Sequence, residues 1–407
     1  MKHSNLETDR IASLDVIRGF ALLGILFVNI LSFGAVSAMA YNPTYGLETT
    51  YDIMIWVLVE IIAEGAMRAM FSILFGAGIV MFLSKGNDRK KLHFKRTFWL
   101  LIFGLINGYI LMWPGDILFT YALAGFGLYF LSEKSPKTLA LISVILFLSL
   151  CAYTVTLNIG LDYLRQMGIY DQSAAKEWSQ FYELFAPSEA FVQKELAMRK
   201  GSFLELFTWS AAAYSSVILE LIPTLLFWDV IVFMCIGMAL YKYNVLQGRL
   251  SKRFYFTFAL IGFALGISIN AYEVNQMIAS EFDILVSFSY FTPTYQIGRL
   301  CIAFGWIGVL ILAIMYFGVG RTLAAVGRMA LTNYLMQSII CLFLFTGVGF
   351  GLLNELRRSE LYLVVLCICM FQLWVSSWWL SRFYYGPLEW LWRSLTYGKF
   401  QKFYREF

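Results

Sequence analysis

The sequence predicts an all-α polytopic membrane protein of about ten transmembrane helices, with both termini in the cytoplasm. Three observations predict it. Hydrophobic residues make up 60% of the 407 and charged residues 14%, against about 25% charged in soluble domains. The apolar residues fall in blocks of about 20, the length that crosses about 30 Å of hydrocarbon as helix; a β-barrel would show short alternating segments instead. The cations between the blocks are also lopsided. With the N-terminus inside, 21 Lys and Arg fall on the cytoplasmic side and seven on the outer side, the asymmetry of the positive-inside rule. That asymmetry also accounts for the net charge of +5, which is no signal for nucleic acid.

In chain order the expected spans are 14–38, 51–84, 97–113, 117–132, 138–158, 204–241, 254–273, 296–318, 329–350 and 361–383. The polar opening MKHSNLETDRIAS precedes no short apolar run with a small-residue cleavage site, so the first span doubles as the insertion signal. The second and sixth spans exceed one crossing, and Gly65 and Pro223 are their expected break points. Residues 159–203 read as an extracytoplasmic insertion of amphipathic helices on the membrane or over a cavity, with Trp178, Phe181, Tyr182 and Phe185 on their apolar side. Residues 384–407 read as a cytoplasmic interfacial tail, anchored by Trp390, Trp392 and Arg393. Within it, Glu389 is a candidate partner for Arg18 or Arg328. Cys151, Cys235, Cys301, Cys341, Cys367 and Cys369 all lie in or beside apolar runs without a C-x-x-C pair, and read as small buried hydrophobes.

Function is to be sought in the charges inside the apolar segments. A charge in hydrocarbon costs at least about 2.5–3.5 kcal/mol, so it faces a protein interior or a wet cavity and has a partner. Asp15 and Arg18, three apart, share a helix face. They read either as a border ion pair or as a site for an anionic group with Arg18 as ligand. Gly19 beside them lets another helix approach. Glu60, Glu64 and Arg68 form a stripe at i, i+4 and i+8, either a self-neutralised docking strip or the wall of an outward-facing cavity. Asp116 follows the Trp113–Pro114 turn as an N-cap candidate. It is expected at the depth of Glu64, Arg68, Glu220 and Arg299, with Asp229 deeper. The loop K-G-N-D-R-K-K-L-H-F-K-R reads as an orientation and lipid signal, or as a landing site for a phosphorylated cosubstrate.

The two histidines, His3 and His93, fall in the tail and the basic loop. Proton transfer within the membrane is therefore left to Glu, Asp, Tyr or water. No metal constellation and no phosphate-binding glycine loop is legible; the glycines of L-F-G-A-G read as close helix packing.

Five stretches in order, L-D-V-I-R-G-F-A-L-L-G-I-L-F-V-N-I, M-F-S-I-L-F-G-A-G, W-P-G-D-I-L-F-T-Y-A, V-G-R-M-A-L-T-N-Y-L-M-Q-S and Y-G-P-L-E-W-L-W-R-S-L-T-Y-G, resemble the YeiB-like family of bacterial inner-membrane proteins over nearly the whole chain. The opening L-D-x-x-R-G is also similar to that of transmembrane acyltransferases, including the heparan-glucosaminide acetyltransferase group. That likeness implies a cytoplasmic thioester donor such as acyl-CoA and an envelope or extracytoplasmic acceptor. It implies Asp15 and Arg18 on the donor side, Arg328 and Asn333 as their neighbours, and the outer charges facing a small-molecule or lipid acceptor. The chain departs from the family at one place. Where YeiB-like members commonly read G-x-x-H-G, it reads G-L-I-N-G, with Asn107, which cannot shuttle a proton near neutral pH. A catalytic role then falls to Glu64 or Asp116, with Asn107 orienting. The alternatives are a transporter or exporter of a small polar or amphipathic molecule, which ten spans with broken helices fit equally well, and a non-catalytic lipid-binding membrane protein.

Overall fold

A computed structural model describes residues 12–84, 86, 89–288, 292–318 and 320–405. The N-terminal tail with His3, parts of the basic loop and the last two residues lie outside the described residues. In chain order the helices are α1 (Ala12–Gly34), α2 (Ala38–Tyr41), α3 (Thr50–Ile62), α4 (Ala66–Leu83), α5 (Arg89–Leu105, extended by a π-helical turn Ile106–Ile110), α6 (Leu118–Leu128), α7 (Pro136–Met167), α8 (Gln172–Phe185), α9 (Glu189–Lys200) and α10 (Phe203–Ser216). A π-helical segment, Val217–Leu226, leads from α10 into α11 (Phe227–Lys242). Then follow α12 (Lys252–Ala279), α13 (Ile284–Ser287), α14 (Pro293–Phe317), α15 (Arg321–Arg328), α16 (Ala330–Phe345), α17 (Arg358–Arg382) and α18 (Pro387–Tyr397). Local chemistry sets many of the starts. Ser135, Ser251 and Thr292 cap α7, α12 and α14, and Thr49 and Ser202 form capping boxes with Asp52 and Glu205.

The chain is an all-α polytopic membrane protein. Among the described residues, seven helical runs are long and apolar enough to cross a bilayer, or eight with the α15–α16 pair counted as one span. The expected ten crossings differ from this in three places. Region 117–132 is only the short apolar helix Leu118–Leu131, about 21 Å of rise. Region 97–113 belongs to α5, whose first two turns are the basic run R-K-K-L-H-F-K-R. Region 329–350 holds the 16-residue α16, which passes the length test only together with α15, from which it is bent by 80°.

The two overlong runs are one 34-residue span, Thr50–Leu83, and one 40-residue span, Phe203–Lys242. The first does break at Gly65, which sits at φ 63°. A Cβ there would lie 2.6 Å from Tyr295 Oη and 2.8 Å from Arg299 Cδ, so both backbone and neighbours demand glycine. Pro223 does not break the second. It is carried inside the π-helical segment, where the wider turn absorbs the missing N–H and the ring.

The core is continuous packing of α1, α4, α6, α11, α14, α16 and α17. Close approaches knit it together. A Cβ at Gly19 would fall 2.0 Å from Leu323 O and one at Gly327 1.9 Å from Asp15 O, so α1 and α15 touch backbone to backbone. Gly76 and Gly237 do the same for α4 and α11.

The insertion's helices are α8, α9 and the end of α7. On α9, the buried Arg199 donates to Ser32 O, Phe33 O and Ala35 O at 2.8–3.1 Å, closing the open carbonyls at the end of α1. Glu195 holds Arg199 at 2.8 Å and accepts from Ser37 N and Oγ. This end of α1 therefore marks the insertion face, and the start of α1 marks the opposite, first face.

Candidate functional site

Four sequence-predicted residues meet in a buried network below the insertion face. Asp229, on α11, is its centre. Arg299 on α14 bonds it directly and bonds Gln296 as well, and Arg68 Nε on α4 lies 3.7 Å from its other oxygen. The Arg299 guanidinium stacks over the rings of Phe233 and Tyr295, with its carbon 4.5 and 4.9 Å from the centroids. Tyr295 Oη donates to Glu64 at 3.2 Å, and the charges of Arg68 and Arg299 both bear on that carboxyl. Asp229 and Arg299 are 3% and 1% exposed. At such burial an unpaired charge is ruled out by its desolvation, which explains the two arginines on one aspartate.

Two placements correct the sequence expectation. Asp229, expected apart from the others in depth, is the hub on which Arg68 and Arg299 meet. Glu220 is not in the network: it is exposed, and among the described residues its carboxylate accepts from Ser216, one turn back in the same span, at 2.8 Å. Glu220 lies in the π-helical segment and Asp229 in α11, so the wider turn between them breaks the α-helical phase, and one carboxylate is exposed while the other is buried. The expected stripe of Glu60, Glu64 and Arg68 is likewise cut by the Gly65 break, and Glu60 instead acts on Arg358 and Tyr362.

A second polar group adjoins the network. Asn107, in the π turn ending α5, donates from Nδ2 to Asp116 Oδ1 at 2.8 Å. Both are buried, at 0% and 2% exposure. Asp116 Oδ2 also accepts from Phe119 N at 2.9 Å, so the capping and the pairing roles coexist. Tyr214 Oη lies 3.5 Å away, and Tyr334 Oη receives Ile117 N at 3.2 Å. Tyr121, hydrogen-bonded to Ser72 at 2.6 Å, bridges towards the network, since Arg68 and Asp229 both act on it. Tyr214, Tyr295, Tyr334 and Gln296 escaped the sequence reading because aromatic and amide residues in apolar runs look like ordinary core. Their only mark is that a buried phenol or amide needs a partner.

At the first face Arg18 pairs with Asp15 at 3.0 Å. Arg328 donates to Tyr384 O at 3.4 Å, and its neighbour Gly327 backs onto Asp15. Asn333 does not join this pair. It is fully buried between α16 and α17, bonded to Ser376 Oγ at 2.9 Å and Val326 O at 3.2 Å, in a chain that continues through Gln372 to Gln337. It is interhelical glue. Among the described residues Glu389 pairs with no arginine in a salt bridge; it accepts from Thr332 N and Oγ1 at 2.9 and 2.6 Å. His93 is not in a loop: it lies on α5, 3% exposed, with Nε2 3.0 Å from Gly125 O.

The Asp15–Arg18 pair and the network are separated by packed side chains. Ile17, Leu22, Ile25, Met70, Ile73 and Leu74 lie between them along α1 and α4, each 4% exposed or less. Cavities of about 290 Å³ beside Ser13 and Arg249, and about 550 Å³ beside Lys95 and Trp99, are lined by neither group.

Residues 240–399 match the family model described as a protein of unknown function, DUF418. The chain is 32% identical over 396 residues to a protein of Escherichia coli K12 named uncharacterized protein YeiB, covering 95% of this chain and 96% of that one. It is 29% identical to the Bacillus subtilis uncharacterized protein YxaH, over 97% and 96% of the two chains. A Bacillus acidopullulyticus protein, called an uncharacterized 39.9 kDa protein in the amylase 3′ region, is 27% identical over 96% and 95%. With a full-length relative at this identity, the chain belongs to the YeiB-like family of membrane proteins.

Proposed function

We propose that the chain is an acyl-transfer protein of the bacterial inner membrane, with its reaction centre at Asn107 and Asp116 and with acyl-CoA as cosubstrate. The observation that carries this reading is the 2.8 Å bond between Asn107 and Asp116 in a buried site. Position 107 is where YeiB-like members commonly carry histidine. A carboxylate at that distance is the partner that orients an imidazole as a general base. In this chain asparagine orients Asp116, and Asp116 is the base. An acceptor hydroxyl attacks the thioester carbonyl, forming the C–O bond and breaking the C–S bond. Its proton passes to Asp116 and then to the departing thiolate. Tyr214, beside Asp116, is a hydroxyl donor for the developing oxyanion. The acceptor is a small molecule or lipid that approaches from the insertion face.

Purified protein given radiolabelled acetyl-CoA tests this. Asn107→His is expected to raise label transfer or thioester hydrolysis, and Asp116→Asn to abolish it in both backgrounds. Absence of saturable acetyl-CoA binding to wild type and Asn107→His alike sinks the reading.

A second reading, transport of a small polar or amphipathic molecule, draws on a different observation. The charged network abuts the Gly65 helix break, the arrangement of a midplane site in a discontinuous helix. The packed residues between the two faces also suit an occluded carrier better than a standing path for an acyl group. Counterflow of a labelled candidate in proteoliposomes, lost in Asp229→Asn but kept in Asp116→Asn, would select this reading over acyl transfer.

A further inference from the structure

We infer that the first face carries a binding site for a phosphate group, built by Arg96 of α5 and Arg393 of α18, with Arg18 of α1 beside them. Three separate elements bring these guanidinium groups together. The charges of Arg393 and Arg18 both act unfavourably on Arg96. Arg96 lies over the Trp392 ring at 4.3 Å and the Phe82 ring at 5.2 Å; its carbonyl accepts from Trp392 Nε1 at 2.9 Å, while among the described residues its guanidinium makes no hydrogen bond or ion pair. Arg393 stacks on Tyr385 at 4.6 Å and Tyr397 at 5.8 Å, with its Nε buried and without a hydrogen-bond partner. Arg89 adds a fourth cation one step away, donating to Tyr397 Oη at 2.9 Å.

Nearby carboxylates do not balance this charge. Asp15 is taken by Arg18 at 3.0 Å. Glu389, on the same helix as Arg393, is turned to Thr332.

The ordinary use of basic residues at a membrane face is attraction to anionic lipid through long, mobile side chains. Arg96 and Arg393 differ from that pattern. Their guanidinium carbons lie over aromatic rings, which limits the directions their N–H edges can take. Like charges brought together in a partly desolvated site repel unless an anion lies between them. Guanidinium forks on rigid plates match the bidentate geometry of a phosphate. The same chemistry is supplied by a free phosphate or diphosphate ester and by a phospholipid headgroup. The inference does not rest on the acyl-transfer reading.

The test uses the full chain in nanodiscs and two probe sets. Soluble probes are inorganic pyrophosphate and coenzyme A, titrated calorimetrically in neutral phosphatidylcholine discs. The lipid probe is phosphatidylglycerol, measured as lipid retained on the protein by native mass spectrometry. Arg96→Gln and Arg393→Gln are expected to weaken binding of the effective probe at least about tenfold, as loss of a charge-assisted pair should. Arg249→Gln, an exposed cation bonded to Asn244 elsewhere on this face, is expected to leave binding unchanged. Arg96→Lys, which keeps the charge and loses the fork, is expected to fall between and guards against a folding defect being read as lost binding. Binding of soluble probes assigns a free ester, and selective phosphatidylglycerol retention assigns a headgroup. Binding of neither, or binding equal in wild type and both Gln variants, overturns the inference.

Discussion

The two charged regions answer the membrane in opposite ways. Below the insertion face, Asp229 is held by Arg299 and flanked by Arg68, and Glu64 by Tyr295, so each carboxylate meets a cation or phenol. At the first face, Asp15 pairs with Arg18, and Arg96 and Arg393 lie over aromatic rings instead of a carboxylate. The difference follows from depth. Deep charges must be neutralised by the fold itself, because nothing else is present to do so. Charges at the membrane edge can leave a place for a partner from outside. A self-balanced network is therefore a candidate for reaction or gating, and an unbalanced cationic cluster is a candidate for binding.

The largest expected effect breaks the balanced side. Asp229→Ala strips Arg299 of its partner and Arg68 of its nearest charge, and should cost about 3–5 kcal/mol, as loss of one member of a buried pair does. Melting in detergent would show it as a large drop in transition temperature, with the double change Asp229→Ala and Arg299→Met recovering part of the loss. An unaltered melt would mean the network is not desolvated. Next is Gly65→Ala, which adds a Cβ 2.6 Å from Tyr295 Oη at a φ of 63° and should cost about 1–3 kcal/mol in strain. It should also disturb Glu64 and Arg299 together, so that Asp229→Ala and Gly65→Ala are less than additive in the same melt.

A smaller effect sharpens the first-face side. Burial pushes the Glu389 carboxyl above its ordinary value of 4.5, outweighing its bonds from Thr332. A folded-state value above the unfolded one means that the folded chain holds a proton the unfolded chain releases. Its contribution to stability is then complete below the unfolded value and lost as pH rises through the folded one. The transition temperature of wild type should therefore fall, relative to Glu389→Gln, as pH rises above 4.5 and through the raised folded-state value. Parallel curves for the two proteins would refute this. The smallest effect is Glu220→Gln, expected within about 0.5 kcal/mol because the side chain is exposed and touches only its own helix. Set against Asp229→Ala, it measures within one continuous span what burial alone does to a carboxylate.

Much of this was legible before any coordinates. The Gly65 break, the Asp15–Arg18 pair and the close approach at Gly19 all follow from local spacing, and all are present. The grouping of Glu64, Arg68 and Arg299 was legible from their approximate depth. What failed were inferences across a change of helix geometry. Glu220 is expected at the depth of Glu64, Arg68 and Arg299, with Asp229 deeper, yet the network closes on Asp229 and leaves Glu220 exposed, across a π-helical segment that changes the turn. The Glu60–Glu64–Arg68 stripe assumed a helix that continues through Gly65. Arg199 looked like one more surface cation of the insertion, yet it closes the end of α1, a contact across 164 residues that no local pattern announces.

Hydrophobic content and charge asymmetry determined by themselves that this is a helical membrane protein, because the bilayer tests each segment for length and polarity independently of its neighbours. Whether α6 reaches across, which aspartate receives two arginines, and that position 107 faces Asp116 were decided only by the tertiary structure. Those outcomes depend on which buried groups find partners on other helices, and the energy that selects them exists only after the helices have packed.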